Sequence, residues 1–217
     1  IPKRDWSSDV CSSDLTGKRK SPIDIETQFA ERGGVKPVMF NYAPGSVVLV
    51  NGNNTIQVNF TNSGSARFDG LEHKLVQMVF HAPSEEKIDG IATPMGAQLI
   101  HRAGDTRTAI LAIRFKLGKE NKALKPIFER LPTNDAFNET VDNFNPADLL
   151  PPNPAYFSYT GSSTIPPCTE GISWYVMRQT VDVSYKQLAA LQKLYKSNSR
   201  PTQPLTGRRV MEYIEQQ

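Results

Sequence analysis

The chain has 217 residues and a formal net charge of +3 at pH 7, and that length suits a single domain. So small an excess of positive charge does not indicate a nucleic-acid partner. No apolar run approaches the ~20 residues that a membrane-spanning helix needs, so we expect the partners to include neither nucleic acid nor a membrane.

Residues 5–15 form a polar segment that contains Ser-Ser-Asp twice and is unlike the β-rich sequence that follows. The segment matches the in-frame translation of a common sequencing-library adaptor, and such scars are excluded from reasoning about the fold. We therefore predict that residues 1–19 are an artefact or a disordered terminus and that the domain spans residues 20–217. On this interpretation the natural start and any signal peptide are missing. The alternative is a natural flexible terminus.

Short apolar segments, several of them alternating with polar residues, recur along the chain, with Gly, Asn and Ser turns between them. This pattern predicts strands at 47–50, 55–60, 74–81 and 109–117. The apolar segment 95–101 follows a connection punctuated by Pro and Gly, so we expect it to return as an antiparallel neighbour of 74–81. The sequence thus predicts a mainly β fold built on one large, mostly antiparallel and twisted sheet.

Two segments are expected to form short peripheral helices. One is 119–130, and the other is 184–195, where apolar residues recur at helical spacing behind the capping residue Ser184. The segment 145–154 is rich in proline and is predicted to be a loop.

Several motifs resemble those of the α-class carbonic anhydrases. Residues 77–85 read Gln-Met-Val-Phe-His-Ala-Pro-Ser-Glu, where the family has Gln-x-His-x-His and, in bacterial members, Ala-Pro-Ser-Glu. Residues 161–168 read Gly-Ser-Ser-Thr-Ile-Pro-Pro-Cys and residues 198–204 read Asn-Ser-Arg-Pro-Thr-Gln-Pro, both close to family patterns. The resemblance covers about residues 20–209 and implies the family's single-domain fold.

The resemblance places the family's three zinc ligands at Val79, His81 and Gln98, so His81 is the only ligand retained. A catalytic zinc site needs three protein ligands and an open fourth position, and carbonic anhydrase itself is a standard example of this rule. Valine offers no lone pair, and the neutral amide oxygen of Gln98 suits harder ions better than zinc.

The other two histidines do not replace the lost ligands. His73 lies eight residues before His81, which is about 26 Å along an unbroken strand. His101 is three residues from Gln98, and that odd spacing turns it to the opposite face. We therefore expect no cofactor, with zinc only if the site is reconstituted.

Further positions follow from the resemblance. Asn54 occupies the proton-shuttle position, where an amide cannot titrate as a histidine of pKa ~6.5 does. Thr164 and Glu85 correspond to the pair that orients the zinc-bound hydroxide. Alternatively, this pair is kept because a buried carboxylate needs a hydrogen-bond partner. The expected cleft-lining residues are Gln57, Gln77, Val79, Ser163 and Ile165.

We predict a catalytically silent family member that acts as a binding or interaction module. Its partner would be an unknown small molecule or protein at the inherited cleft or on the surface. The alternative is a weak zinc-dependent carbonate dehydratase, which forms bicarbonate and a proton from carbon dioxide and water, or a promiscuous esterase. By resemblance, we expect a monomer in the periplasm or outside the cell.

Two cysteines, Cys11 and Cys168, occur in the chain. Secreted family members often pair the cysteine of Pro-Pro-Cys, here Cys168, with one that would be expected near Asp14. Because Cys11 belongs to the adaptor-like segment, we expect Cys168 to be free or only fortuitously bridged.

Overall fold

The alternating segments form sixteen strands in the computed structural model, which describes residues 17–52, 54–133 and 138–215. The strands are β1 (Asp24–Ile25), β2 (Glu31–Arg32), β3 (Met39–Tyr42), β4 (Gly45–Asn51), β5 (Ile56–Phe60), β6 (Gly64–Phe68), β7 (Leu71–His81), β8 (Lys87–Ile88), β9 (Ile91–Ala92), β10 (Met95–Ala103), β11 (Arg107–Leu117), β12 (Glu139–Phe144), β13 (Tyr156–Ser162), β14 (Glu170–Met177), β15 (Val181–Val183) and β16 (Met211–Tyr213). The helices are α1 (Lys125–Phe128) and α2 (Tyr185–Leu194), with short 3-10 turns at Thr27–Phe29 and Pro146–Leu149.

Thirteen strands form one sheet with the order β12-β4-β5-β7-β10-β11-β14-β13-β16-β2, while β6 also pairs with β7, β3 with β6, and β15 with β11. Among the described strands of this sheet, the parallel pairs are β11 with β14, β11 with β15, and β16 with β2. The remaining pairs are antiparallel. The prediction of a mainly β fold with a large, mostly antiparallel sheet and few short helices is therefore confirmed.

Apolar side chains cover both faces of the large sheet. One core cluster contains Phe80 and Tyr175 together with Leu188 of α2, and a second contains Phe157 and Trp174. Tyr175 and Trp174 are consecutive in β14, and they belong to different clusters because successive side chains of a strand point to opposite faces. The sheet therefore lies between two apolar layers.

The predicted helix at 184–195 is confirmed as α2. The hydroxyl of Ser184 accepts a hydrogen bond from the backbone N–H of Gln187, and the Gln187 side chain accepts one from the Ser184 backbone, which forms a capping box. Within the described ranges, no helix is long and apolar enough to cross a membrane.

The predicted helix at 119–130 is wrong except for the single turn of α1. The side-chain Oδ1 of Asn121 accepts a hydrogen bond from the backbone N–H of Leu124, at 3.1 Å. Asparagine competes with helical hydrogen bonding in this way, so the chain turns before α1 begins.

Residues 17–19, which we predict to lie outside the domain, contact it. The backbone N–H of Arg19 donates to Glu170, and the hydroxyl of Thr206 donates to the carbonyl of Lys18. The predicted artefact over residues 1–16 lies outside the described residues.

The first alternative for Cys168, a free thiol, is wrong, because this residue is disulfide-bonded. The second alternative, a fortuitous bridge, stays a prediction. The ammonium group of Lys20 lies 3.4 Å from the Cys168 carbonyl oxygen, so the N-terminal segment passes beside the Pro-Pro-Cys loop. The sequence holds one other cysteine, Cys11, which lies outside the described residues.

Asn198 fixes the end of β7. Its Oδ1 accepts a hydrogen bond from the N–H of Ala82 at 2.8 Å, and its Nδ2 donates to the carbonyls of Phe80 at 2.9 Å and Asn54 at 2.8 Å. The Asn198 backbone carbonyl also accepts from His81. One buried amide thus joins the segment after α2 to both β7 and the β4–β5 hairpin.

The substitution Asn198→Ala should lower the free energy of unfolding by about 3 kcal/mol, because it leaves buried backbone groups without partners. Urea unfolding measures this change. The exposed Asn62 serves as the control, since Asn62→Ala should change stability by less than about 0.5 kcal/mol. Equal effects of the two substitutions would contradict the structural role of Asn198.

Candidate functional site

A buried cavity of about 70 Å³ lies where the β4–β5 hairpin, the end of β7 and the β13–β14 loop meet. Its wall consists of Gly52, Asn54, Thr55, Gln57, His81, Glu85, Thr164, Ile165 and Asn198. Most of these residues carry polar side chains although the surrounding strands are apolar, so the cavity is suited to a polar guest.

His81 lines this cavity and keeps one ring nitrogen without a hydrogen-bond partner among the described residues. The residue is 4% exposed, and its Nδ1 lies 3.0 Å from the carbonyl oxygen of Asn198. A carbonyl only accepts hydrogen bonds, so Nδ1 carries the proton and, in the neutral ring, Nε2 carries a lone pair. Nε2 has no hydrogen-bond partner in the described part of the chain. A buried acceptor is therefore left open.

Glu85 accepts hydrogen bonds at both carboxyl oxygens. Its Oε1 accepts from the backbone N–H of Arg200 at 2.9 Å and lies 3.5 Å from Nδ1 of His81, and its Oε2 accepts from Nε2 of Gln98 at 2.7 Å. The same Gln98 nitrogen donates to Oε1 of Glu86 at 3.1 Å. The two amide hydrogens of Gln98 are consequently both used, one for each carboxyl group.

Glu86 is held in its neutral form. Burial, reinforced by the neighbouring charge of Glu85, raises the pKa of Glu86 to about 8. The hydrogen bond from Gln98 and the charge of Arg114 oppose this rise without cancelling it. Two adjacent buried carboxyl groups therefore coexist because one of them is protonated at neutral pH.

The three positions that correspond to zinc ligands do lie side by side. Val79 pairs with Gln98 across β7 and β10, and His81 pairs with Gly96 two residues along, so Val79 and His81 share a face. However, Val79 has no donor atom, and Gln98, whose amide nitrogen is bound to the carboxyl pair, could offer only a neutral oxygen, a poor ligand for zinc. Among the described residues, no group of three or more His, Cys, Asp or Glu side chains could hold a metal ion.

Some of the remaining predicted site residues line the cavity, and others do not. Asn54, Gln57, Thr164 and Ile165 line the cavity, as do His81 and Glu85. In the described structure no hydrogen bond joins Thr164 to Glu85, whose oxygens accept from Arg200 and Gln98 instead.

Three predicted cleft residues, Gln77, Val79 and Ser163, are absent from the described cavity wall. Gln77 donates to the side-chain oxygens of Gln57 and Asn59 on the neighbouring strand. The hydroxyl of Ser163 donates to the backbone carbonyl of Ile165 and accepts from its N–H. Val79 is buried, at 1% exposed. Local hydrogen bonds thus occupy Ser163, and bonds to the neighbouring strand occupy Gln77.

Three contributors to the site receive no role from the sequence alone. Asn198 and Arg200 appear there only as part of a motif, yet Asn198 fixes His81 and the Arg200 backbone binds Glu85. Glu86 shares the Gln98 amide. For Glu86 a signal exists, because it is a polar residue shortly after an apolar strand.

Comparisons with known proteins agree with this geometry. The family model of the eukaryotic-type carbonic anhydrases matches residues 2–214. A carbonic anhydrase of Neisseria gonorrhoeae is 34% identical over 205 residues, which cover 94% of this chain and 79% of that protein.

Solved structures of the same fold also match this chain. The α-carbonic anhydrase of Thermovibrio ammonificans, in complex with the inhibitor sulfanilamide, has a TM-score of 0.87 and 36% identity over 90% of this chain and 87% of that chain. Dioscorin complexed with ascorbate has a TM-score of 0.87 and 28% identity over 95% of this chain and 90% of that chain. The chain therefore belongs to the eukaryotic-type, or α, carbonic anhydrase family.

Proposed function

We propose that this protein is a catalytically silent α-carbonic anhydrase homologue that acts as a binding module through the inherited cavity. The observation that carries the proposal is the position of Gln98. Its amide group is bound by Glu85 and Glu86, at 2.7 and 3.1 Å, so the residue at a ligand position serves as an internal hydrogen-bond donor. Val79, at a second ligand position, offers no donor atom at all.

The residues present do not fit a catalytic zinc ion. Such an ion needs three protein ligands, as carbonic anhydrase itself illustrates, and of the three corresponding positions, all of them described, only His81 carries an imidazole. A single imidazole leaves the ion with too few ligands to be retained. Asn54 adds a further obstacle, since its amide cannot carry a proton out of the cavity near neutral pH.

The cavity can bind a small molecule although it lacks the ligands for a catalytic zinc ion. Most residues of the wall carry polar side chains, and dioscorin is one protein of this fold that is known with a small organic molecule, ascorbate. The disulfide at Cys168 supports a periplasmic or secreted location, because disulfides persist in oxidising compartments. We further propose that the protein acts there as a monomer.

Purified protein that has been incubated with zinc and dialysed should retain far less than one zinc ion per chain. It should also hydrate carbon dioxide no faster than buffer does, because no three-ligand site exists. Metal analysis and stopped-flow hydration assays measure both quantities, with the Neisseria gonorrhoeae carbonic anhydrase as the positive control. One zinc per chain together with sulfonamide-sensitive hydration would overturn the proposal.

Restoring the ligands tests the same claim from the opposite side. The double substitution Val79→His and Gln98→His should restore stoichiometric zinc binding, because both positions lie beside His81 on adjoining strands. Hydration should return only slowly, since Asn54 supplies no proton shuttle. The single variant Val79→His is the matched control and should bind zinc weakly. If the double variant folds and still binds no zinc, the loss of ligands is not the reason for silence.

The substitution Glu86→Gln tests whether Gln98 and its carboxyl partners are a structural network. Because the folded protein raises the pKa of Glu86 from 4.5 to about 8, the folded state binds this proton more tightly than the unfolded state does. The free energy of unfolding should therefore fall as pH rises from about 5 to 8, by a few kcal/mol in order of magnitude.

The Glu86→Gln variant should lack this part of the pH dependence, because glutamine does not titrate. The neighbouring side chains of Arg114, Glu85 and Tyr159 are kept in this variant. Urea unfolding at pH 5 to 8.5 measures the difference between variant and parent. The exposed Glu139 provides the control, since Glu139→Gln should leave the pH profile as it is. Identical profiles for the Glu86→Gln variant and the parent would show that Glu86 ionises normally.

A further inference from the structure

We propose that a groove at one end of the β7–β10 strand pair is a second binding site, which takes a small organic molecule that carries a phosphate group. The groove has a volume of about 500 Å³, and its lining includes Leu71, Glu72, Lys74, Arg102, Ala103 and Arg107. None of its described residues lines the cavity around His81. The groove is therefore independent of the proposed function.

The groove forms where β7 and β10 separate. The last residue pair that joins the two strands is Lys74 with Arg102. Beyond this pair, the start of β7 continues along β6, while Ala103 of β10 pairs with Arg107 of β11. The start of β7 and the β10–β11 turn thus form the two sides of the groove, and regular strand pairing holds both sides in place.

Lys74 and Arg102 place two like charges side by side. Residues directly opposite each other in an antiparallel pair have Cβ atoms about 4.5–5.5 Å apart on one face, and like charges there are destabilising. Both side chains are exposed, whereas the next pair, Leu75 with His101, is buried on the other face. No ion pair among the described residues includes Lys74 or Arg102. An anion bound between the two cations would remove this repulsion.

The balance of charge in the groove favours a dianion. Arg107 is a third cation of the lining, and Glu72 is the one acidic residue of the described lining, so three cations less one carboxylate leave two positive charges. The carboxylate of Glu72 accepts a hydrogen bond from the Ser65 hydroxyl of β6 at 2.6 Å. A phosphate monoester carries about −1.5 to −2 charge at pH 7 and three strong acceptor oxygens. Arginine binds phosphate with two parallel hydrogen bonds and lysine binds it as a point charge.

The groove also has an apolar part, which points to an organic ester rather than inorganic phosphate. Leu71 is 38% exposed and lines the groove beside the cations, and covering its surface would be favourable. The volume lies within the range of roughly 300–1,000 Å³ that is typical of small-molecule sites. One leucine offers little apolar surface for anchoring to a bilayer. The occupant is therefore a free molecule and not a lipid headgroup in a membrane.

Three probes separate charge from apolar contact. Phenyl phosphate has both, inorganic phosphate has the charge alone, and benzamide has the ring alone. In protein labelled with ¹⁵N at low salt, phenyl phosphate should shift the backbone amides of residues 102–104 in a saturable way. Inorganic phosphate should bind about threefold more weakly or less tightly still, because it leaves Leu71 uncovered. Benzamide should give no saturable shift, and about 0.5 M sodium chloride should weaken the binding of phenyl phosphate.

Variants locate the binding. Lys74→Gln and Arg102→Gln should each weaken phenyl phosphate binding by about three- to fivefold, and the double variant by about tenfold or more. Lys186→Gln is the matched control, since Lys186 is an exposed lysine of α2 outside the groove, and it should bind as the parent does. Leu71→Ser should weaken the binding of phenyl phosphate and leave that of inorganic phosphate unchanged.

Urea unfolding gives a second measurement on the same variants. Without ligand, Lys74→Gln should raise the unfolding midpoint, because it relieves the repulsion from Arg102. Phenyl phosphate should raise the midpoint of the parent and of Lys186→Gln, since it binds the folded state. It should leave the midpoint of the double variant unchanged.

Three results would overturn the assignment of this groove. The first is equal binding of phenyl phosphate by the parent and the double variant. The second is the absence of saturable shifts at residues 102–104. The third is sedimentation of the parent with phosphatidylglycerol vesicles, lost in the double variant, without binding of phenyl phosphate, which would assign the groove to a membrane surface. Zinc content and carbon dioxide hydration enter none of these measurements, so the groove and the proposed function can fail separately.

Discussion

The site depends on the hydrogen bonds that one amide nitrogen, Nε2 of Gln98, donates to two buried carboxyl groups, those of Glu85 and Glu86. Two adjacent carboxylates in an apolar interior would repel each other and lose their hydration. A shared donor between them, together with the raised pKa of Glu86, removes most of that cost. Because the amide nitrogen is committed in this way, the only atom that Gln98 could offer to a metal is its neutral oxygen, which suits harder ions better than zinc.

The frame around this amide is held by groups that need no metal. Asn198 joins the end of β7 to the β4–β5 hairpin, and Thr55 donates to the Phe80 carbonyl at 2.6 Å and accepts from the Phe80 N–H at 3.1 Å. Buried backbone groups are thereby satisfied from side chains of other elements. A cavity with polar walls can consequently persist although the ligand set for zinc is incomplete.

The sequence predicted the sheet and α2 well because these elements are dictated by short-range patterns. The alternation in 55–60 and 74–81 fixes both the strands and the faces that they bury, and Ser184 marks the start of a helix. It failed for two different reasons. The turn at Asn121 and the hydrogen bonds of Ser163 are local contacts, made two or three residues along the chain, that compete with the predicted arrangement. The disulfide at Cys168 and the bonds of Gln77 to the neighbouring strand depend on partners that no local pattern names. The bond between Gln98 and the carboxyl pair belongs to the same class.

Four buried side-chain atoms of the described residues have no hydrogen-bond partner: Nε2 of His81, Nδ1 of His101, Oγ of Ser63 and Nε of Arg114. A buried polar group without a partner costs about 1–3 kcal/mol. His81 is the residue among these four that lines the cavity, and its Nδ1 is paired with the Asn198 carbonyl. Part of this cost therefore falls at the one ligand position that keeps its histidine, beside two positions that no longer complete a zinc site.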